Sequence, residues 1–106
     1  MAEQVGARFL VHAFEKAGVS TLFTLSGNHI MPIFDAVIDA SIDLIHTRHE
    51  AATVHMADAY ARLTKKVGVA MVTGGPGHAN AVSALYTTAM AEAPVVLLSG
   101  LSLIHI

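Results

Sequence analysis

Helix-period and strand-like segments alternate through the 106 residues with short connections between them. That order predicts an α/β fold, a doubly wound parallel sheet joined by right-handed crossovers with helices on both faces. Composition agrees. Hydrophobic residues are 54% of the chain and charged residues 13%, so with glycine added the apolar share exceeds the roughly 45–50% of soluble chains. A sheet covered on both faces, or a large subunit contact, accounts for the excess. The strands also run into turns rich in Gly, Asn and Ser, and such turns line the ligand-side rim of an open α/β sheet.

The elements follow in order. Glu3 to Ala17 puts Val5, Phe9, Leu10, Ala13, Phe14 and Ala17 on one helical stripe, with Gly18 where a C-terminal cap is wanted. Thr21 to Leu25 is short, β-rich and closed by Ser26-Gly27-Asn28, a buried strand with a turn at its end. Ile30 to Ala40 is helical, with Ile30, Ile33, Phe34, Val37 and Ile38 inward and Pro32 in the first turn. A brief strand spans Ile42 to His46. The next helix, Glu50 to Leu63, carries Ala51, Ala52, Ala57, Ala59 and Ala61, small enough for another backbone to approach. Val67 to Thr73 is a strand, His78 to Glu92 a helix, and Val95 to Ser99 a strand opened by Pro94. Met31, Met56, Met71 and Met90 read as core filler.

Length allows one domain at most, since domains usually run to about 100–150 residues. Six basic and eight acidic residues give a net charge of −2 with no basic stripe, which argues against nucleic acid as a partner. The absence of cysteine excludes disulfide, zinc-thiolate and thiol-nucleophile chemistry. Met1-Ala2-Glu3-Gln4 lacks the basic and apolar regions of a leader, and no apolar run approaches the about 20 residues of a membrane span. The reading is a soluble, cytoplasmic protein. The apolar end Leu101 to Ile106 has nothing left in the chain to cover it, so the natural sequence is expected to continue past it or to differ there.

Glu50 opens a helix directly after a strand and turn, and Gly74-Gly75-Pro76-Gly77-His78-Ala79-Asn80 follows the next strand. A carboxylate at one crossing and a bare-backbone turn at the next suit a site that grips a flat heteroaromatic ring and moves a proton on it. Each feature has a plainer alternative. Acidic residues are favoured at helix N-termini by the helix dipole, although the alanine-rich run after Glu50 points to a dry contact, which raises a carboxyl pKa. Gly75-Pro76-Gly77 fits a tight turn as well as a ligand wall. It fits a dinucleotide fingerprint poorly, because Asn80 stands where the third glycine belongs and Pro76 removes an anion-binding N–H. His49-Glu50-Ala51-Ala52-Thr53 is a near miss for a zincin helix, with Thr53 in place of the second histidine. His46, His49 and His55 share no helix face, so no metal site is assigned to this chain. His29 and His78 stand in ligand-side turns as substrate-lining or capping residues.

Taken together these segments resemble the N-terminal, pyrimidine-binding domain of the thiamine-diphosphate-dependent enzymes, in the acetolactate (acetohydroxyacid) synthase branch. The likeness rests on Leu22-Phe23, Ser26-Gly27-Asn28-His29-Ile30-Met31-Pro32 with Asp35-Ala36, and Arg48-His49-Glu50-Ala51-Ala52 with Ala57-Asp58-Ala59-Tyr60-Ala61-Arg62. It continues in Gly68-Val69-Ala70, Gly74-Gly75-Pro76-Gly77 with Asn80, and Ala93-Pro94-Val95 with Ser99-Gly100. On this resemblance residues 1–100 form a partial pyrimidine-binding domain and 101–106 an atypical tail that does not continue the family pattern.

The resemblance implies that Glu50 hydrogen-bonds the ring nitrogen of the cofactor's aminopyrimidine and promotes the tautomer that receives the thiazolium proton. It implies that Gly75, Gly77 and Asn80 pack on or near that ring, and that Ser26, Gly27, Asn28, His29 and His78 lie on the substrate side. Ser26 stands where relatives commonly have proline, and Asn28 where they have glycine, serine or aspartate, which leaves the substrate class open. The Gly-Asp-Gly and Asn-pair motif that binds diphosphate and Mg²⁺ belongs to a separate C-terminal domain, and FAD is retained in some relatives. The implied activity is decarboxylation and carboligation of 2-oxo acids, a transferase reaction, by a homodimer or homotetramer. A 2-hydroxyacyl-CoA lyase or oxalyl-CoA decarboxylase is the alternative within the family. A non-catalytic fragment or interaction module is the alternative outside it, and this segment alone is expected to be inactive.

Overall fold

The computed structural model describes residues 2–102, with side chains from residue 6 onward. Helix α1 (Ala2–Lys16) stops at a glycine, as its sequence demands. Gly18 takes φ 80°. Its N–H donates to the Glu15 carbonyl and the Val19 N–H to the Phe14 carbonyl, the paired closure of a Schellman cap. Then come β1 (Thr21–Thr24), a 3-10 turn (Asn28–Ile30), α2 (Met31–Val37), β2 (Asp43–His46), α3 (Glu50–Thr64), β3 (Gly68–Val72), α4 (Pro76–Met90) and β4 (Val95–Ser99).

The four strands are parallel in the order β2-β1-β3-β4, so the predicted doubly wound α/β fold is what forms. The chain winds from β1 outward to β2, then returns across β1 to place β3 on its other side. The crevice at the carboxyl ends of β1 and β3 is therefore the topological switch point. Register levels the strand ends: Thr24 pairs with both His46 and Met71, and Val72 with Ser99. The turns that follow share one rim.

Alternation along the strands splits the core in two. Leu22, Val69 and Met71 face α1 and α2 with Val11, Ile30, Val37 and Ile42. Phe23, Ala70 and Val72 face α3 and α4 with Val54, Ala57, Ala81 and Ala84. Gly68 lies so tightly against the Ala57 carbonyl that a β-carbon would overlap it. The small residues of α3 do admit a backbone, as their size predicts.

Several expectations need correction. The apolar stripe of α1 is rotated: Val11 is buried, whereas Phe9 is 70% exposed and Ala13 and Ala17 are exposed. Val5 lies outside the described side chains. α2 is shorter than its periodicity suggests, because a 3-10 turn occupies its start, and Ile38 at its end is 76% exposed. Both helices have one neighbouring helix and one sheet face to bury against, so apolar residues beyond that arc remain in water. Of the four methionines read as filler, Met71 is buried and Met31, Met56 and Met90 are exposed. α4 begins at Pro76, earlier than expected, because proline's fixed φ suits a first helical position. Of the atypical tail, residues 103–106 lie outside the described residues.

Candidate functional site

Threonines and a histidine set the start of α3. Thr47, buried at the end of β2, donates its hydroxyl to the His49 carbonyl at 3.0 Å and shares a 2.6 Å hydrogen bond with the buried Thr53. His49 is extended at φ −154°, and its Nδ1 accepts the Ala51 N–H at 3.0 Å, which makes it the N-cap. Glu50 is thereby held as the first helical residue, on the rim.

The Glu50 carboxylate points across the rim at α4. Its Oε1 accepts from Asn80 Nδ2 at 3.0 Å. Its Oε2 lies 3.4 Å from where a β-carbon on Gly77 would stand, while Thr73 Cγ2 would be 2.8 Å from the same point. Gly77, itself buried, thus leaves room for the Thr73 side chain and lets the carboxylate lie beside it. The expected dry contact is not found, because Glu50 is half-buried, as are Ala51 and Ala52 after it. They begin a helix on the rim, where α4 and the core cluster meet one side of them and the other side stays open.

The other turns lock around this pair. A β-carbon on Gly27 would overlap the Thr73 side chain, so the turn after β1 lies directly on the turn after β3. His29 reaches the same turn, its Nδ1 accepting the Gly74 N–H at 3.2 Å. Below them the buried Thr24 hydroxyl donates to the Met71 carbonyl at 2.8 Å and ties β1 to β3.

Gly75 does something different from Gly77. It adopts φ 66°, a left-handed value that favours glycine, and a β-carbon there would meet nothing within 4 Å. With His78, Ser99, Gly100 and Leu101 it lines an open depression of about 400 Å³. His78 is exposed in that depression, and Ser26 and Asn28 are exposed on the β1 turn. The rim brings together Glu50, Gly77, Asn80, Gly27 and His29; it sets Gly75 and His78 to one side. A larger cavity of about 570 Å³ opens beside Thr21, Val67 and Lys66, at the strand starts, away from every predicted site residue.

Sequence reading passed over two contributors. Thr73 is the side chain on which Gly27 and Gly77 both close; a polar residue ending an apolar strand was its signal. Asp58 is buried in α3, accepting from Thr88 of α4 at 2.8 Å and from Arg62 one turn on. The hydrogen bond from Arg62 is the main cause that holds the Asp58 carboxyl below the ordinary aspartate range, burial opposing it and the Thr88 hydroxyl reinforcing it. The i,i+4 acid–base spacing was visible, but not the partner on α4.

No helix among the described residues is long and apolar enough to cross a membrane. Comparison with known proteins then identifies the lineage. The family described as "Thiamine pyrophosphate enzyme, N-terminal TPP binding domain" matches residues 4–105. The 2-hydroxyacyl-CoA lyase 2 of Danio rerio is 45% identical over 95 residues, 90% of this chain and 15% of that protein. Its Bos taurus counterpart is 51% identical over 83 residues, 78% of this chain and 13% of that protein. The acetolactate synthase isozyme 2 large subunit of Escherichia coli K12 is 39% identical over 95 residues, 90% of this chain and 17% of that protein. The chain thus spans less than a fifth of each of these relatives. Matched over residues 4–105, the chain belongs to the thiamine pyrophosphate enzyme family, as part of the N-terminal TPP-binding domain.

Proposed function

We propose that Glu50 is the proton-relay residue of a thiamine-diphosphate enzyme acting on 2-oxo acids, and that this chain supplies the pyrimidine side of the site. One observation carries the reading: Asn80 holds one carboxylate oxygen of Glu50 at 3.0 Å while the other lies beside Gly77, leaving it for a ring nitrogen. The residues fit the cofactor. A ring nitrogen needs an oriented carboxyl with an oxygen to spare. When bound, thiamine diphosphate supplies the carbanion chemistry.

The chain's own residues hold and move the proton. Asn80 fixes the carboxyl plane, His49, Thr47 and Thr53 fix the helix start that bears it, and half-burial reduces competition from water. Gly75 is assigned with Gly77 and Asn80 to the cofactor side, and His78 with Ser26, Gly27 and Asn28 to the substrate side. Mg²⁺ and the diphosphate are assigned to the C-terminal domain, in a homodimer or larger assembly.

Glu50→Gln in the full-length protein tests the assignment. Loss of a positioned acid–base group should slow thiazolium C2 proton exchange by roughly 10²- to 10⁴-fold. An unchanged rate would remove Glu50 from the mechanism.

Within this reading, acetolactate-forming carboligation is one reaction and cleavage of a 2-hydroxyacyl-CoA the other. Lyase relatives are 40–51% identical and synthase relatives 39–41%, so the two ranges overlap and the reaction itself makes the choice. Product analysis with pyruvate and with a 2-hydroxyacyl-CoA separates them, and acetolactate formation would favour the synthase. The visible spectrum of the purified protein decides whether FAD is retained.

A further inference from the structure

We propose that His29 is a positioning residue that acts through the glycine turn and not on substrate: its imidazole clamps Gly74, and so sets Gly77 and Asn80 against Glu50. The inference rests on the role proposed for Glu50. Three turns meet at His29. Its Nδ1 accepts the Gly74 N–H at 3.2 Å across 45 positions of sequence. A β-carbon on Gly74 would stand 2.8 Å from that nitrogen and 2.7 Å from the Gly100 carbonyl oxygen, and one on Gly100 would overlap the His29 side chain. Two turns from two different strands have therefore given up their side chains where His29 lies.

The hydrogen bond assigns the ring's chemistry. A nitrogen that accepts from a backbone N–H carries no proton, so the neutral imidazole holds its proton on Nε2. The acceptor is committed to the turn. Gly74 leads directly into Gly75, whose φ of 66° turns the chain into α4, and the first turns of α4 carry Gly77 and Asn80 to Glu50. The neighbouring contact of Gly27 on Thr73, and of Thr73 on Gly77, braces the same junction between β1 and β3. Releasing Gly74 frees the segment that orients the carboxylate. A catalytic group displaced by about 1 Å can cost roughly 10²-fold in rate.

Side-chain mimicry separates this role from substrate contact. Asn places an amide oxygen close to where Nδ1 stands and can keep the acceptor, whereas Gln extends its amide towards Nε2 and leaves Gly74 unpaired. Two measurements are made on full-length His29→Ala, His29→Asn and His29→Gln. In the cofactor-free protein, amide hydrogen exchange of the segment 73–77 should quicken in the Ala and Gln variants and stay near wild type in Asn. In the holoenzyme without substrate, C2 proton exchange should fall by roughly 10- to 100-fold in Ala and Gln, and Asn should restore it to within about threefold of wild type.

Normal substrate-free exchange in His29→Ala and His29→Gln, with turnover alone reduced, would overturn the proposal and make His29 a substrate contact. Asn behaving like Ala would overturn it too. If His29→Ala does not fold, the contrast between Asn and Gln decides. Glu50→Gln is the internal control: normal exchange there sinks the Glu50 role, whereas slow exchange there with normal exchange in His29→Gln sinks this inference alone.

Discussion

Leu22, Ile30, Val37, Ile42 and Met71 fill the face of the sheet covered by α1 and α2, whereas Ala57, Ala70, Ala81 and Ala84 fill the face covered by α3 and α4. The first face is held by bulk. The second is held by closeness, with small side chains that let two helices and a strand approach until polar groups meet across them. Glu50 reaches Asn80 and Asp58 reaches Thr88, each across 30 positions, so the pairs form two rungs about two helical turns apart. The outer rung is the candidate site. The inner rung joins the same two helices in the same register. Burial of apolar area stabilises both faces, and the α3–α4 face carries the polar pairs.

The largest effect expected from breaking this contrast is on the bulky face. Leu22 is fully buried, and Leu22→Ala should cost roughly 2–5 kcal/mol through lost transfer energy and a residual cavity. Below the lowered melting temperature, thiazolium exchange should stay within about threefold of wild type. A large loss of exchange in a folded variant would mean that the two faces are not separable.

Next comes the inner rung. Asp58→Ala removes hydrogen bonds from Thr88 and Arg62 and should cost roughly 1.5–3 kcal/mol; Arg62 is about half exposed and can be rehydrated. The pH dependence follows from the lowered folded-state pKa of Asp58. A depressed carboxyl contributes stability that is fully present above its unfolded value, roughly 3.9, and is lost as pH falls through the folded value. The gap between wild type and Asp58→Ala should be level from roughly pH 5 to 8 and narrow below about pH 4. Melting curves across that range check it, and a gap that widens in acid would contradict the assignment.

The outer rung is smaller in stability but not in function. Asn80 is exposed, so Asn80→Ala should change stability by no more than about 0.5 kcal/mol. Losing the group that orients the Glu50 carboxyl should slow thiazolium exchange roughly tenfold, a barrier change of about 1.4 kcal/mol. Melting temperature and exchange rate measured on one sample sharpen the contrast: exchange should fall while melting hardly moves.

The α/β alternation and the rim were legible because both depend on local signals: strand-length apolar runs, glycine turns and a carboxylate at a helix start. Glu50 and the glycine turn could be picked out on those grounds, and Asn80 through the family resemblance. Their mutual geometry could not, since it depends on how α3 packs against α4, through pairs 30 positions apart, and on how closely α3 lies on β3, where Gly68 meets Ala57. Thr73 and Asp58 were missed for the same reason, their partners lying on other elements. Gly75 and Gly77 read alike in sequence yet do different work, one turning the chain and one leaving room.

Ile38 gives the smallest expected effect and tests why helix periodicity misled. It follows Val37, which is buried in the α1–α2 face, and its spacing from Phe34 placed it inward as well. A helix flanked by one helix and one sheet buries only the arc facing them. Ile38 falls outside that arc at 76% exposure, so Ile38→Thr should alter stability by no more than about 0.5 kcal/mol. Val37→Thr, which puts a hydroxyl into the core, should cost roughly 1–3 kcal/mol. Melting of both variants in the full-length protein makes the comparison direct. A loss at Ile38 as large as at Val37 would mean that this side chain is covered there, and that the inward periodicity reported a real contact outside these residues.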